Sequence, residues 1–113
     1  MDLAQSGQEL GEPSSHPLFE GEAFLRPMID RGNLRVNEVE FSAGGRTRWH
    51  VHTFEQVLII TDGAGIVATD AGEREVAPGD VVMIVPGERH WHGGRPDRGM
   101  RHISINGPGE TAW

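Results

Sequence analysis

The sequence predicts an all-β protein of a single domain. Apolar residues recur with a period of two in short runs, and glycine, proline and Asp-Gly or Pro-Gly pairs separate those runs. No long stretch carries a helical period. A chain of 113 residues suffices for one domain and is short for two. Sixteen glycines and seven prolines lie scattered as punctuation rather than clustered, which fits many tight turns and not a low-complexity tract.

Residues 1–16 are polar, with Gly7, Gly11, Pro13, Ser14 and Ser15, and offer little to bury. They predict a flexible N-terminal arm that can order against a partner subunit, leaving 17–113 as the folded domain. Ala23-Phe24-Leu25 predicts an edge strand ending at Pro27. From Leu34 to Ser42 the chain alternates: Leu34, Val36, Glu38 and Glu40 share one face, Arg35, Asn37, Val39 and Phe41 the other. Gly44-Gly45 breaks that strand, and Trp49 to His52 forms a short one with alternate histidines. The β-branched run from Gln56 to Thr61 ends at the turn signal Asp62-Gly63, with Ile66 to Thr69 as its expected hairpin partner. Glu73 to Val76 follows, then the turn Pro78-Gly79-Asp80. Val81 to Val85 is continuously apolar and predicts a buried strand, closed by Pro86-Gly87. Met100 to Asn106 alternates again until Gly107-Pro108-Gly109. Roughly eight to ten short strands at this spacing describe a sandwich or closed barrel.

Ten basic against seventeen acidic residues leave a net charge of -7, which disfavours a nucleic-acid partner. No apolar run reaches the ~20 residues that span a bilayer, and the N-terminus has neither the basic start nor the apolar core of a secretory signal. The expectation is a soluble cytoplasmic protein. With no cysteine, disulfides and thiolate metal sites are excluded, so any metal must be held by nitrogen and oxygen.

The histidines carry the chemistry. His50 and His52 are two apart on a strand, so both side chains leave one face with backbones about 6–7 Å apart. Two imidazoles so placed can converge on one ion. Gln56 has the same parity and can return to that face. Glu55 is one step out of register and should face outward. His90 and His92 form a second such pair, and His102 lies in the last alternating strand. His16, in the polar arm, reads as a solvated side chain.

Gly44-(five residues)-His50-x-His52-xxx-Gln56-(six)-Gly63 resembles the first motif of the cupins, and Gly79-(five)-Val85-x-Gly87-xx-His90 resembles the second. The likeness covers about residues 34 to 106 and implies a jelly-roll β-barrel. Gln56 stands where that family usually has Glu, Val85 where it has Pro, and Gly94 where Asn is common. With ERHWHG at 88–93 and MRHIS at 100–104, the Gln variant is similar to short bacterial cupins that include manganese-dependent hydroxynitrile lyases. That resemblance implies His50, His52, Gln56 and His90 as metal ligands. It leaves His92 and His102 unligated in the cavity, with His102 the general base.

Three imidazoles and a neutral amide would leave a divalent ion its full charge, a stronger Lewis acid than a Glu-ligated one. Nitrogen and oxygen donors suit Mn or Fe first, then Ni, Co or Zn. A neutral histidine beside the ion is suited to moving protons. Trp49, Trp91 and Phe54 are expected to wall the cavity or fill the core, and Asn37, Val39 and Asn106 to shape specificity. The leading functional expectation is a metal-dependent lyase cleaving a C–C bond next to a hydroxyl of a small molecule. An Fe-dependent dioxygenase acting on a small enol or phenol is the second. A non-enzymatic ligand-binding protein with a structural metal is the third. The resemblance also implies a homodimer or higher homo-oligomer, and the polar arm and the edge strand near Phe24 are surfaces that can serve its interface.

Overall fold

The computed structural model describes all 113 residues, and its regular elements are strands throughout. They are β1 (Phe19–Glu20), β2 (Ala23–Asp30), β3 (Arg35–Phe41), β4 (Arg46–Thr47), β5 (Val51–His52), β6 (Gln56–Gly63), β7 (Gly65–Thr69), β8 (Gly72–Val76), β9 (Val81–Ile84), β10 (His90–Gly94), β11 (Met100–Asn106) and β12 (Thr111–Ala112). Two five-stranded sheets, ordered β1-β4-β10-β7-β8 and β2-β3-β11-β6-β9, face each other, and β12 pairs with β5 at one end. Every strand pairing is antiparallel, the arrangement of a jelly roll. No helix is long and apolar enough to cross a membrane.

Between the sheets one end is dry and the other polar. Ala23, Val39, Phe41, Leu58, Ile60, Val67, Val76, Ile84 and Met100 make the buried apolar cluster. Val39, Phe41, Leu58, Ile60 and Met100 hold alternate inward positions of β3, β6 and β11, so period-two patterning accounts for that part of the core. The other end is the histidine cavity.

Three local expectations are corrected. Ile66 to Thr69 does not answer the Gln56 run as a hairpin: β6 pairs with β11 and β9, whereas β7 pairs with β10 and β8. At Asp62-Gly63 the chain crosses from one sheet to the other. Gly63 has φ 78°, and a Cβ there would lie 2.1 Å from the Gly99 carbonyl oxygen, so the crossing requires glycine. Second, Val81–Ile84 is an edge strand, not a buried one. Ile84 alone in it is buried, while Val81 and Met83 face out, because β9 lies at the border of its sheet. Third, the strand at Ala23 runs through Pro27 to Asp30, with an irregularity between Pro27 and Ile29 that accommodates the missing N–H. Its position at an edge is as expected.

The polar arm lies along the outer face of the β2-β3-β11 side. The Gly7 N–H donates to Glu38 Oε2 at 2.9 Å, Arg101 donates to the Gln8 carbonyl at 3.1 Å, and Arg31 pairs with Asp2 at 2.6 Å. Glu38 is fully buried beneath it, ion-paired with Arg26 at 3.0 Å and Arg101 at 3.7 Å.

Candidate metal centre

His50 and His90 face each other across an antiparallel bridge, each N–H donating to the other's carbonyl at 2.9 Å. Their rings come to 4.2 Å between centroids. His52, two residues along, sits 4.8 Å from the His90 ring and stacks on Phe54 at 4.2 Å. The Gly87 N–H holds the His52 carbonyl at 2.9 Å, tying the Pro86-Gly87 turn to the first histidine pair. Period-two strand geometry and one register thus bring three imidazoles from distant segments together.

Their tautomers follow from their partners. Nδ1 of His50 meets the Arg48 carbonyl at 2.8 Å, Nδ1 of His52 the Phe54 carbonyl at 2.9 Å, and Nδ1 of His90 the Glu88 carbonyl at 2.8 Å. A carbonyl only accepts, so each Nδ1 carries the hydrogen and each Nε2 keeps a lone pair. One ligating atom from each ring lies within 4.8 Å of the others. His90 Nε2 is buried and meets no hydrogen-bonding group of the protein. Burial, with the charge of His50 beside it, lowers the His90 pKa to about 4, and burial also lowers that of His50. Converging neutral imidazoles with buried lone pairs and Nδ1–H groups pinned to carbonyls fit a metal ion well. His50, His52 and His90 can hold one.

Gln56 is buried with them. Its amide nitrogen donates to Asn106 Oδ1 at 2.8 Å, which turns Oε1 to within 3.2 Å of His52 Nε2. His92 and His102 sit deeper, also buried, with His102 Nε2 and His92 Nδ1 at 3.2 Å. His102 Nδ1 has no hydrogen-bond partner. Burial lowers the His102 pKa to about 4. Burial, then the charge of His102, holds His92 well below its usual value. Both are neutral at neutral pH.

These side chains line a cavity of about 460 Å³, together with Asn37, Val39, Phe54 and Asn106. Trp49 does not line it, a correction to the sequence reading. It is an odd step from His50, so it leaves the opposite face and packs under the Arg89 guanidinium at 4.1 Å. Trp91 likewise lies on the far side, under Arg46 at 3.9 Å. Glu55 is exposed, as its parity requires. Among the lining residues that escaped the sequence reading are His16 and Trp113, whose rings lie 5.7 Å apart, Arg35 and Thr47. His16 is exposed yet belongs to the cavity mouth. Arg35 was legible, since it shares the inward parity of Asn37 and Val39. The chain ends carried no such signal.

A jelly roll with a histidine cluster at one end of its interior is the architecture of a cupin, and residues 37–106 match the cupin domain model. The chain belongs to that family. It is 35% identical over 109 residues to an (R)-mandelonitrile lyase from Granulicella tundricola, covering 93% of this chain and 83% of that protein. A cupin-like protein from Thermotoga maritima superposes with a TM-score of 0.89 at 33% identity, over 96% of this chain and 88% of that one. A polyketide cyclase from Streptomyces resistomycificus superposes with a TM-score of 0.77 over 96% of this chain and 86% of its own. At 21% identity that likeness speaks for the fold alone.

Proposed function

We propose that this protein is a metal-dependent lyase that breaks a C–C bond next to a hydroxyl in a small substrate, the metal being held by His50, His52, His90 and Gln56. The observation carrying the reading is the trio of imidazoles with pinned Nδ1–H groups and converging Nε2 lone pairs. The likeness to a mandelonitrile lyase supports the reaction class.

Gln56 joins the ligand set on electrostatic grounds. His52 Nε2 and Gln56 Oε1 are both lone-pair acceptors, yet lie 3.2 Å apart. They repel unless a cation lies against both, and Asn106 holds the amide in that orientation. Mn or Fe suits such a donor set first. A bound divalent ion supplies the Lewis acidity that steadies a developing negative charge.

The chain's own residues do the proton work. His102 Nε2 and His92 Nδ1 share one hydrogen across 3.2 Å, which orients both rings, and His102 takes the substrate's hydroxyl proton. As the carbonyl forms, the C–C bonding pair departs with the leaving group. For a cyanohydrin, cyanide leaves and recovers the proton from His102. Asn37, Val39, Phe54 and Asn106 fix the substrate's pose.

The test is cyanide release from mandelonitrile by protein loaded with Mn(II) or stripped by chelation. Release that depends on the ion is expected. No release with Mn, Fe, Ni, Co or Zn would contradict the lyase reading, and oxygen uptake with Fe(II) and a catechol would replace it with a dioxygenase. The free edge of β2, where Leu25 is partly exposed, is proposed as a self-pairing edge, which a solution mass measurement checks.

A further inference from the structure

The charge inside the cavity is opposite to the charge of the chain. The protein carries a net -7, yet no Asp or Glu lines the cavity. Apart from the imidazoles its one ionisable lining residue is Arg35, always protonated. Six of the ten arginines pair with carboxylates; Arg35, Arg46, Arg74 and Arg98 pair with none, and of these four only Arg35 lines the cavity. One Nη donates to the Gly107 carbonyl at 3.1 Å, and the guanidinium lies 5.2 Å from the Phe54 ring centroid. Its Nε is buried without a partner. A guanidinium held against an aromatic wall, with a donor unused and no counter-ion, is a preformed anion seat.

Register places that seat relative to the histidines. Asn106 is the cross-strand partner of Arg35 on one side and of Gln56 on the other. Arg35, Asn106 and Gln56 therefore form one row across β3, β11 and β6. At ~4.8 Å per strand, the backbones of Arg35 and Gln56 are about 10 Å apart. A small molecule can touch both ends of that row at once.

We propose that the natural substrate is a small organic acid, its carboxylate seated on Arg35 while its reacting oxygen lies at the histidine cluster. Arg35 is then a specificity-determining residue that selects hydroxy or oxo acids over neutral analogues. This deepens the lyase reading by naming its substrate class. The anion seat itself requires only Arg35 and the cavity.

The experiment compares binding of mandelate and mandelamide, which share a shape and differ in charge, by calorimetry. It uses the wild type, Arg35→Gln and Arg35→Lys, each metal-loaded and metal-stripped. The wild type should bind mandelate at least ten-fold more tightly than mandelamide, and should keep that preference without metal. Arg35→Gln should lose the preference, and Arg35→Lys should retain part of it. Equal binding of the two ligands by the wild type overturns the proposal without recourse to any variant. So does a preference that survives Arg35→Gln or vanishes on stripping, since the ion would then be the carboxylate's seat. Cyanide release is scored separately, so failure of the lyase reading leaves this result standing, and the reverse.

Discussion

The barrel buries polar side chains in two places and treats them oppositely. On the outer face, beneath the N-terminal arm, Glu38 is fully buried and its carboxylate oxygens meet Arg26, Arg101 and the Gly7 N–H. Inside the cavity, His90 Nε2, His102 Nδ1 and Arg35 Nε have no protein partner, and burial keeps His90 and His102 neutral. Buried charge that serves structure is neutralised on the spot. Arg26 Nε is also left open in the outer cluster, but its charge is met by Glu38; open groups gathered around one cavity mark where something else can bind.

That contrast predicts opposite responses to substitution. His90→Ala should remove a ligand and leave no orphaned protein partner at Nε2. Bound metal and mandelonitrile cleavage should fall by roughly a hundred-fold or more, while metal-free protein should lose only the packing of one truncated ring, about 2 kcal/mol, partly offset by removal of the unpartnered Nε2. Glu38→Ala should do the reverse. It leaves the guanidinium groups of Arg26 and Arg101 without their shared carboxylate and should cost about 3 kcal/mol in denaturant unfolding, with metal content unchanged.

The neutral histidines sharpen the comparison through pH. A His102 pKa of about 4 in the folded chain, against 6.5 unfolded, means the unfolded chain binds more protons between those values. Stability of metal-free protein should therefore be full above pH 6.5 and fall as pH drops towards 4. His102 contributes about 3 kcal/mol to that loss. Denaturant midpoints across this range check the prediction, and His102→Gln should flatten the slope.

How much of this was legible in the sequence turns on which features are local. Alternation placed His50, His52 and Gln56 on one face and Glu55 on the other, because parity is a property of a single strand. The same rule sends Trp49 outward with Glu55, and its aromatic character was a poor reason to place it in the cavity. The sheet switch at Asp62-Gly63 looked like a hairpin turn, since a turn signal does not say which strand will pair next. His16 and Trp113 reach the cavity mouth because the segments that carry them meet over one end of the barrel, which no local pattern records. Glu38 hid its burial because an alternating Glu normally marks the wet face. Two arginines from neighbouring strands and the arm changed that here.

The smallest effect belongs to Trp49. Trp49→Ala should cost under about 1 kcal/mol, the scale of an exposed cation–π contact, and leave cleavage within two-fold of the wild type.

The central claim is convergence of His50, His52 and His90 on one ion, and elemental analysis of protein purified without added metal tests it most directly. The wild type should carry close to one transition-metal ion per chain, and His50→Ala and His90→Ala should carry almost none. Equal metal in all three proteins, or none in the wild type, would contradict it.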